Sequence, residues 1–161
     1  MNKIKFAKVR PDAKIPNKRR EDMGYDIYAN FKEDYMIIDP HNTVMIPTGI
    51  ASCCDSDYGF ILKERGSTGT KGIAQRCGVI DSGYRSEWFV PLTNTNEYPI
   101  VIAKNPDEFD AYKFLIYPYT KAICQALVVP VPDTEVEEIS YEELKEIPSE
   151  RGMGSRGSSG K

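Results

Sequence analysis

The sequence predicts an all-β domain, a barrel or a sandwich, from three observations. Short runs rich in valine, isoleucine and tyrosine recur along the chain. Turn signals (DP, PTG, DSD, NTNEYP and NPDE) stand between them. Strands do not alternate with long helical patterns, which argues against repeated βαβ units. The expected strands begin around Ile4, Phe6 and Val9 and continue with 25–29, 35–38, 43–46 and 50–53. They resume at 59–63, 87–93, 100–103, 113–116 and 122–129. RPDAKIPNKRRED, residues 10–22, reads as a loop. One short helix is expected late. Ser140 and Glu143 fit a capping box, Leu144 and Ile147 supply apolar positions, and Pro148 closes it. Segment 104–120 separates two good strands and reads as a loop with an added strand. Its aromatics, Phe109, Tyr112, Phe114, Tyr117 and Tyr119, are suited to cover a core or a subunit contact.

The 161 residues suffice for one domain with a real core. Apolar residues make up 40% and charged residues 28%, the balance of a water-soluble chain. A net charge of -3 argues against a general nucleic-acid binder. No apolar run approaches the roughly 20 residues that cross a bilayer, so no membrane partner is expected. The start, MNKIKFAKVR, lacks an apolar signal core, and a cytoplasmic location is the expectation. Charge is unevenly placed: residues 3–20 carry eight bases and one acid, and residues 133–150 eight acids and one lysine. Both stretches read as solvated, although one of the early bases is free to meet a ligand or a partner subunit.

Cys53, Cys54, Cys77 and Cys124 form no CxxC pair, and His41 is the one histidine, which argues against a structural zinc site. Four buried or half-buried free thiols are expected. Adjacent Cys53 and Cys54 would point opposite ways on a strand, so a bond between them is not expected.

Four internal stretches have the composition of a site. ERGSTGTKG, 64–72, follows a strand-like run and joins a forked cation to small donors, which suits phosphate; it does not match a Walker A loop. In GVIDSGYRSEW, 78–88, Asp81 either acts on a water or caps local amides, and Tyr84 can lie flat against a sugar. In GYDIYA, 24–29, Asp26 sits among apolar neighbours, as a hydrogen-bond hub or a charge near a metal. In KAICQALV, 121–128, the amide of Gln125 must find partners inside an apolar run, from backbone or ligand. The ending RGMGSRGSSGK, 151–161, cannot build a core, yet its glycines beside arginines suit a strap over phosphate.

Taken in order, GYDIYA, ERGSTGTKG, GVIDSGYRSE, KAICQALV and RGMGSRGSSG resemble the five motifs of the trimeric dUTPases, the deoxyuridine triphosphate nucleotidohydrolases. The resemblance runs through most of the chain. It implies a distorted jelly-roll-like β-barrel of the β-clip type with one short helix. It implies residues 1–150 as the β domain and 151–161 as a flexible arm closing an active site. It also implies a homotrimer whose sites are shared between subunits. The implied reaction is dUTP plus water giving dUMP and pyrophosphate, with Mg2+ held by the phosphates and water, not by direct protein ligands. The dCTP deaminases share the broader fold and parts of the second and third motifs, but normally lack a complete fifth. Deamination of dCTP is the alternative within the fold. A non-catalytic interaction protein on the same scaffold, acting through loops such as 104–118, is the alternative outside it.

Roles follow from the resemblance by position. Asp81 matches the aspartate that activates the attacking water, Asp26 an organiser of the site, and Gln125 the glutamine near the α-phosphate. Arg65, Gly66 and Ser67 fall in the phosphate-binding second motif. Gln75, Gly78, Val79, Ile80 and Tyr84 belong to the uracil and deoxyribose pocket built by residues 75–84, with Glu87 at the end of the same motif. Lys121 opens the fourth motif. Arg151 matches the arginine that clamps the γ-phosphate, and Arg156, Gly157 and Ser158 complete the arm.

The chain also departs from the pattern. The second motif reads RGSTG where the family usually has RS followed by glycine or serine, and Gln75 replaces a common asparagine. Thr120 and Lys121 stand where an acid and an arginine are frequent. Arg156 occupies the place of the phenylalanine that stacks on uracil, and an arginine plane can stack on a base or reach a phosphate. Phe89 and Tyr98 are further candidates to cover the base.

Overall fold

The computed structural model describes residues 3–150, 152 and 154. The chain divides into two units, Met1–Val131 and Pro132–Lys161. The first is a distorted jelly roll built from four small sheets. Its strands are β1 (Lys5–Lys8), β2 (Tyr25–Tyr28), β3 (Tyr35–Ile38), β4 (Thr43–Pro47), β5 (Ile50–Cys53) and β6 (Tyr58–Lys63). They continue as β7 (Ile73–Gln75), β8 (Val79–Ile80), β9 (Phe89–Asn94), β10 (Ile100–Ala103), β11 (Leu115–Pro118) and β12 (Ala122–Pro130). The sheets are β1-β5, β11-β10-β3, β2-β12-β6-β8 and β4-β9-β7.

The local patterns explain most of these elements. In β6, Phe60 and Leu62 are buried while Ile61 and Lys63 are exposed, the alternation of a strand with one face on the core. β10 is IVIA with all four residues buried, because it lies between β11 and β3 in the middle of its sheet. The core centres on Trp88, which has no exposed surface. Phe6 and Phe60 meet its ring edge-on at 5.5 and 5.0 Å, an arrangement aromatic quadrupoles favour.

Segment 104–120 contributes a 3-10 turn, Pro106–Glu108, and β11, which starts two residues later than the sequence suggests. Asp110 is the reason. Its carbonyl accepts from the amides of Lys113 and Phe114, and its side chain from Tyr112, so a turn absorbs residues 110–114. Phe109 packs on Tyr35, Tyr119 on Phe31, and Tyr117 is buried, while Tyr112 is fully exposed.

Besides that 3-10 turn, two strands and one α-helical turn were not visible in the sequence. β7 and β8 are only three and two residues long. The turn α1, Gly66–Gly69, has the poor helix composition GSTG. Thr68 creates it: its buried hydroxyl accepts from the Arg65 amide and donates to the Arg65 carbonyl, both at 3.0 Å. The cysteines are free, but Cys77 is exposed, against the expectation of burial. It sits at φ 57 on the tip between β7 and β8, where the chain turns into Gly78.

In the second unit, α2 (Tyr141–Glu146) forms as expected. The Ser140 hydroxyl accepts from the Glu143 amide, and the Glu143 carboxylate accepts from the Ser140 amide.

Glu87 is an internal anchor. Its carboxylate holds both terminal nitrogens of Arg10 and accepts from the Gly49 amide at 2.8 Å. Its side chain is 12% exposed. This ties the exit of β1, the β4–β5 turn and the approach to β9. Burial pushes the Glu87 carboxyl up, but the hydrogen bonds from Arg10 and Gly49 outweigh it and hold the group below its ordinary value. A depressed folded value means stability that is present above the unfolded pKa of about 4.3 and lost as pH falls through the folded value. Glu87→Gln should therefore cost about 2 kcal/mol at pH 7. In urea unfolding, the gap between wild type and variant should shrink steadily as pH is lowered below about 4.

Candidate active site

The sheet β2-β12-β6-β8 organises the polar motifs. β12 pairs antiparallel with β2, setting Gln125 opposite Asp26, and with β6, setting Gln125 opposite Lys63. Three motifs far apart in sequence therefore meet at one end of the sheet. Asp26, Arg65, Gly66, Ser67 and Gln125 line a single cleft of about 650 Å³, within the usual range for ligand sites.

Each side chain in this cleft is held. Arg65 Nε lies 3.0 Å from Asp26 Oδ1, with both side chains about one-third exposed. One terminal nitrogen of Arg65 reaches Ser67 Oγ and the Ala122 carbonyl, each at 3.4 Å. Gln125 Nε2 donates to the Glu64 carbonyl at 2.8 Å, which leaves its amide oxygen toward Gly24. Gly24 is required there: a Cβ would stand 2.6 Å from Gln125 Oε1 and 2.9 Å from Gln125 Cβ.

Burial raises three ionisable groups near Asp26 and Arg65. Burial, reinforced by Asp26, raises the Tyr28 phenol above its ordinary value. Burial likewise raises Tyr117, against the opposing pull of Arg65 and Ser67, and its hydroxyl donates to the Ala122 carbonyl at 2.6 Å. Burial, with Asp26 and Glu64 adding, pushes the Cys124 thiol strongly up, so it stays protonated and is no nucleophile.

The third motif lies elsewhere. Gly78, Val79, Ile80, Asp81 and Tyr84 line a second cleft of about 290 Å³ with Met45, Cys77, Phe89 and Pro91. β8 is the edge strand on the side of the sheet away from β2. With strands about 4.8 Å apart, the β2 and β8 backbones stand about 14 Å apart. Within one chain, Asp81 thus belongs to a different depression from Asp26, Arg65 and Gln125.

Local structure explains the shape of this second cleft. Gly78, at φ +115, leaves only 2.9 Å between a notional Cβ and both Gln75 Nε2 and the Leu62 carbonyl oxygen. Its own carbonyl accepts from the Leu62 amide at 2.7 Å, which closes the hairpin onto β6. As an edge strand, β8 keeps one row of backbone groups outside the ladder. The Tyr84 hydroxyl donates to the Glu87 carbonyl at 3.1 Å, fixing the ring beside Phe89.

Several sequence candidates fall outside both clefts. Gln75 is buried, and its amide nitrogen donates to the Arg76 and Cys77 carbonyls, so it supports the hairpin from within. Glu87 is consumed by Arg10 and Gly49. Lys121 is exposed in the turn before β12. Phe89 lines the hairpin cleft, whereas Tyr98 lies in the turn before β10. Arg151, Arg156, Gly157 and Ser158 lie outside the described residues. Asn17, Lys18, Arg19 and Asp22 also line the first cleft, although none of them belongs to a motif. The excess of bases in 3–20 was the available signal, but it did not single out which of them lie there.

No three His, Cys, Asp or Glu side chains converge as a metal cage among the described residues. In the first cleft, Asp22 and Asp26 already carry arginine partners. No helix among the described residues is long and apolar enough to cross a membrane.

Comparison with known proteins agrees with this architecture. The dUTPase family model matches residues 12–106. The deoxyuridine 5'-triphosphate nucleotidohydrolase of Gloeobacter violaceus is 33% identical over 142 residues, covering 86% of this chain and 83% of that protein. Among solved structures, the dUTPase of Staphylococcus bacteriophage 80alpha with dUPNHPP superposes with a TM-score of 0.78 at 21% identity, over 100% of both chains. A dUTPase of phage phi11 of S. aureus, whose structure reveals the coordination of a structural Mg(II) ion, gives 0.68 at 20% identity over 86% of this chain and 97% of that one. At such identities the structures speak to the fold. The family model and the Gloeobacter relative, which reach beyond the individual motifs, place the chain in the dUTPase family.

Proposed function

We propose that this member of the dUTPase family hydrolyses dUTP to dUMP and pyrophosphate in a site that one chain supplies only in halves. The observation that carries the reading is the separation of the two clefts. One holds Asp26, Arg65, Ser67 and Gln125; the other holds Asp81 and Tyr84. A homotrimer in which the phosphate cleft of one copy faces the hairpin of the next would unite them.

In this reading the edge strand β8 and its hairpin take uracil. Its free backbone row imitates a base-pairing edge, and a wrong base leaves polar groups unmatched. Tyr84 lies under the deoxyribose, where a 2′-hydroxyl would collide. Arg65 and Ser67 hold phosphate oxygens, and Gln125 lies against the α-phosphate. Asp81 accepts a proton from the water that attacks the α-phosphorus, and the P–O bond to the pyrophosphate breaks. Asp26 fixes the Arg65 guanidinium through their ion pair. Arg151 and the arm from Arg156 to Ser158 close over the triphosphate. Mg2+, when bound on the phosphates and their waters, supplies neutralisation of phosphoryl charge.

The test is pyrophosphate release from dUTP, UTP, dTTP and dCTP, with and without magnesium. Turnover should be confined to dUTP and depend on the metal. Absence of dUTP turnover, or ammonia released from dCTP, would overturn the reading.

A further inference from the structure

The first cleft has a wall that the five motifs do not supply. Loop 16–23 places Asn17, Lys18, Arg19, Asp22 and Met23 on the same depression as Arg65, Ser67 and Gln125. The loop is anchored at both ends: the Asp26 amide donates to the Asn17 carbonyl at 3.0 Å, and Pro16 and Gly24 are buried.

Inside the loop, Arg19 is held by one partner. Its Nε donates to Asp22 Oδ2 and a terminal nitrogen to Asp22 Oδ1, both at 3.0 Å. The Arg19 amide also donates to Asp22 Oδ2, at 3.1 Å. Lys18 Nζ donates to the Asp22 carbonyl at 2.6 Å and lies 5.6 Å from the Tyr25 ring centre. Two cations are thus preset on the cleft rim. A fork–fork pair is the geometry in which a guanidinium also meets phosphate. The Arg19 side chain is 89% exposed, so an anion can approach it without unfolding anything. An exposed pair of this kind contributes little to stability. That leaves Asp22 free to give up the guanidinium to a stronger anion.

We propose that Lys18 and Arg19 are binding residues for the pyrophosphate portion of the substrate, with Asp22 holding Arg19 in reserve until phosphate replaces it. The assignment rests on the reading of the first cleft as the phosphate half of the site. It predicts effects of opposite sign from the two halves of one ion pair. Removing Arg19 removes a phosphate partner, whereas removing the charge of Asp22 removes the competitor.

The experiment is calorimetric titration of inorganic pyrophosphate, and separately of dUMP, into the full-length wild-type chain and three variants. Arg19→Ala should weaken pyrophosphate binding about 10-fold, and Lys18→Ala about 3-fold. Asp22→Asn should tighten it about 3-fold. The dUMP affinity should stay unchanged in all three. The KM for dUTP should follow the pyrophosphate ranking with kcat nearly constant. Equal pyrophosphate affinity in wild type and Arg19→Ala, or weakening by Asp22→Asn, overturns the proposal, as does a wild-type chain that does not bind pyrophosphate. If pyrophosphate binds with the expected ranking but dUTP is not hydrolysed, the rim assignment stands and the hydrolase reading falls.

Discussion

Asp81→Asn is expected to lower kcat on dUTP by about 10³-fold, the scale of a lost general base, while leaving the fold intact. Asp81 lies in the turn after β8, on the surface of the hairpin cleft and outside the core. Thermal unfolding should therefore match wild type. Arg65→Ala is expected to disable the other cleft, because it removes the cation paired with Asp26 and within reach of Ser67. The decisive measurement is a mixture of the two inactive proteins, unfolded and refolded together. If sites draw the phosphate cleft from one copy and the hairpin from another, mixed trimers contain intact sites. Activity should return to about a quarter of wild type. If both clefts of one chain served the same site, no mixture would recover activity. That outcome would refute the shared-site reading while leaving the hydrolysis itself in place.

Gly24→Ala should be nearly as damaging by a different route. A methyl group at this position would collide with Gln125 at both Oε1 and Cβ. The amide oxygen can swing aside, but Cβ is fixed to β12, whose register opposite β2 is set by backbone pairing. Relief requires the two strands to shift, at a cost of about 1–3 kcal/mol. A shift also disturbs the Gln125 bond to the Glu64 carbonyl and the adjoining Asp26–Arg65 pair. In the proposed reading these groups serve the reaction, and a displacement on this scale is expected to lower kcat/KM by about 100-fold. Parallel measurements of melting temperature and kcat/KM test both parts. A variant that keeps wild-type values of each would show that the close approach is not needed.

The departures from the sequence expectation have physical causes. Helix composition could not reveal α1, because GSTG is a poor helix former and the turn depends on one buried hydroxyl, that of Thr68. Asp110 moved the start of β11 by organising a turn that an apolar count cannot register. Glu87 carried a motif position, yet its partner Arg10 is 77 residues away and sits in what reads as an irregular basic loop. Gln75 was similarly placed by motif but is spent on the carbonyls of its own hairpin. Lys18 and Arg19 belong to a basic stretch that reads as solvated charge; only the fold anchors their loop beside Asp26.

The sequence by itself determined the all-β class, most strand positions, the capped late helix and the identity of the polar motifs. Those are local properties: side-chain alternation, turn chemistry and short ordered patterns lie within a few residues of one another. Tertiary structure alone decided that the motifs around Asp26, Arg65 and Gln125 share one cleft and that Asp81 and Tyr84 occupy another. The reason is strand order. β12 inserts between β2 and β6, and β8 is left at the far edge. That arrangement follows from which apolar faces bury together across the whole domain, a competition that no local stretch of the sequence records.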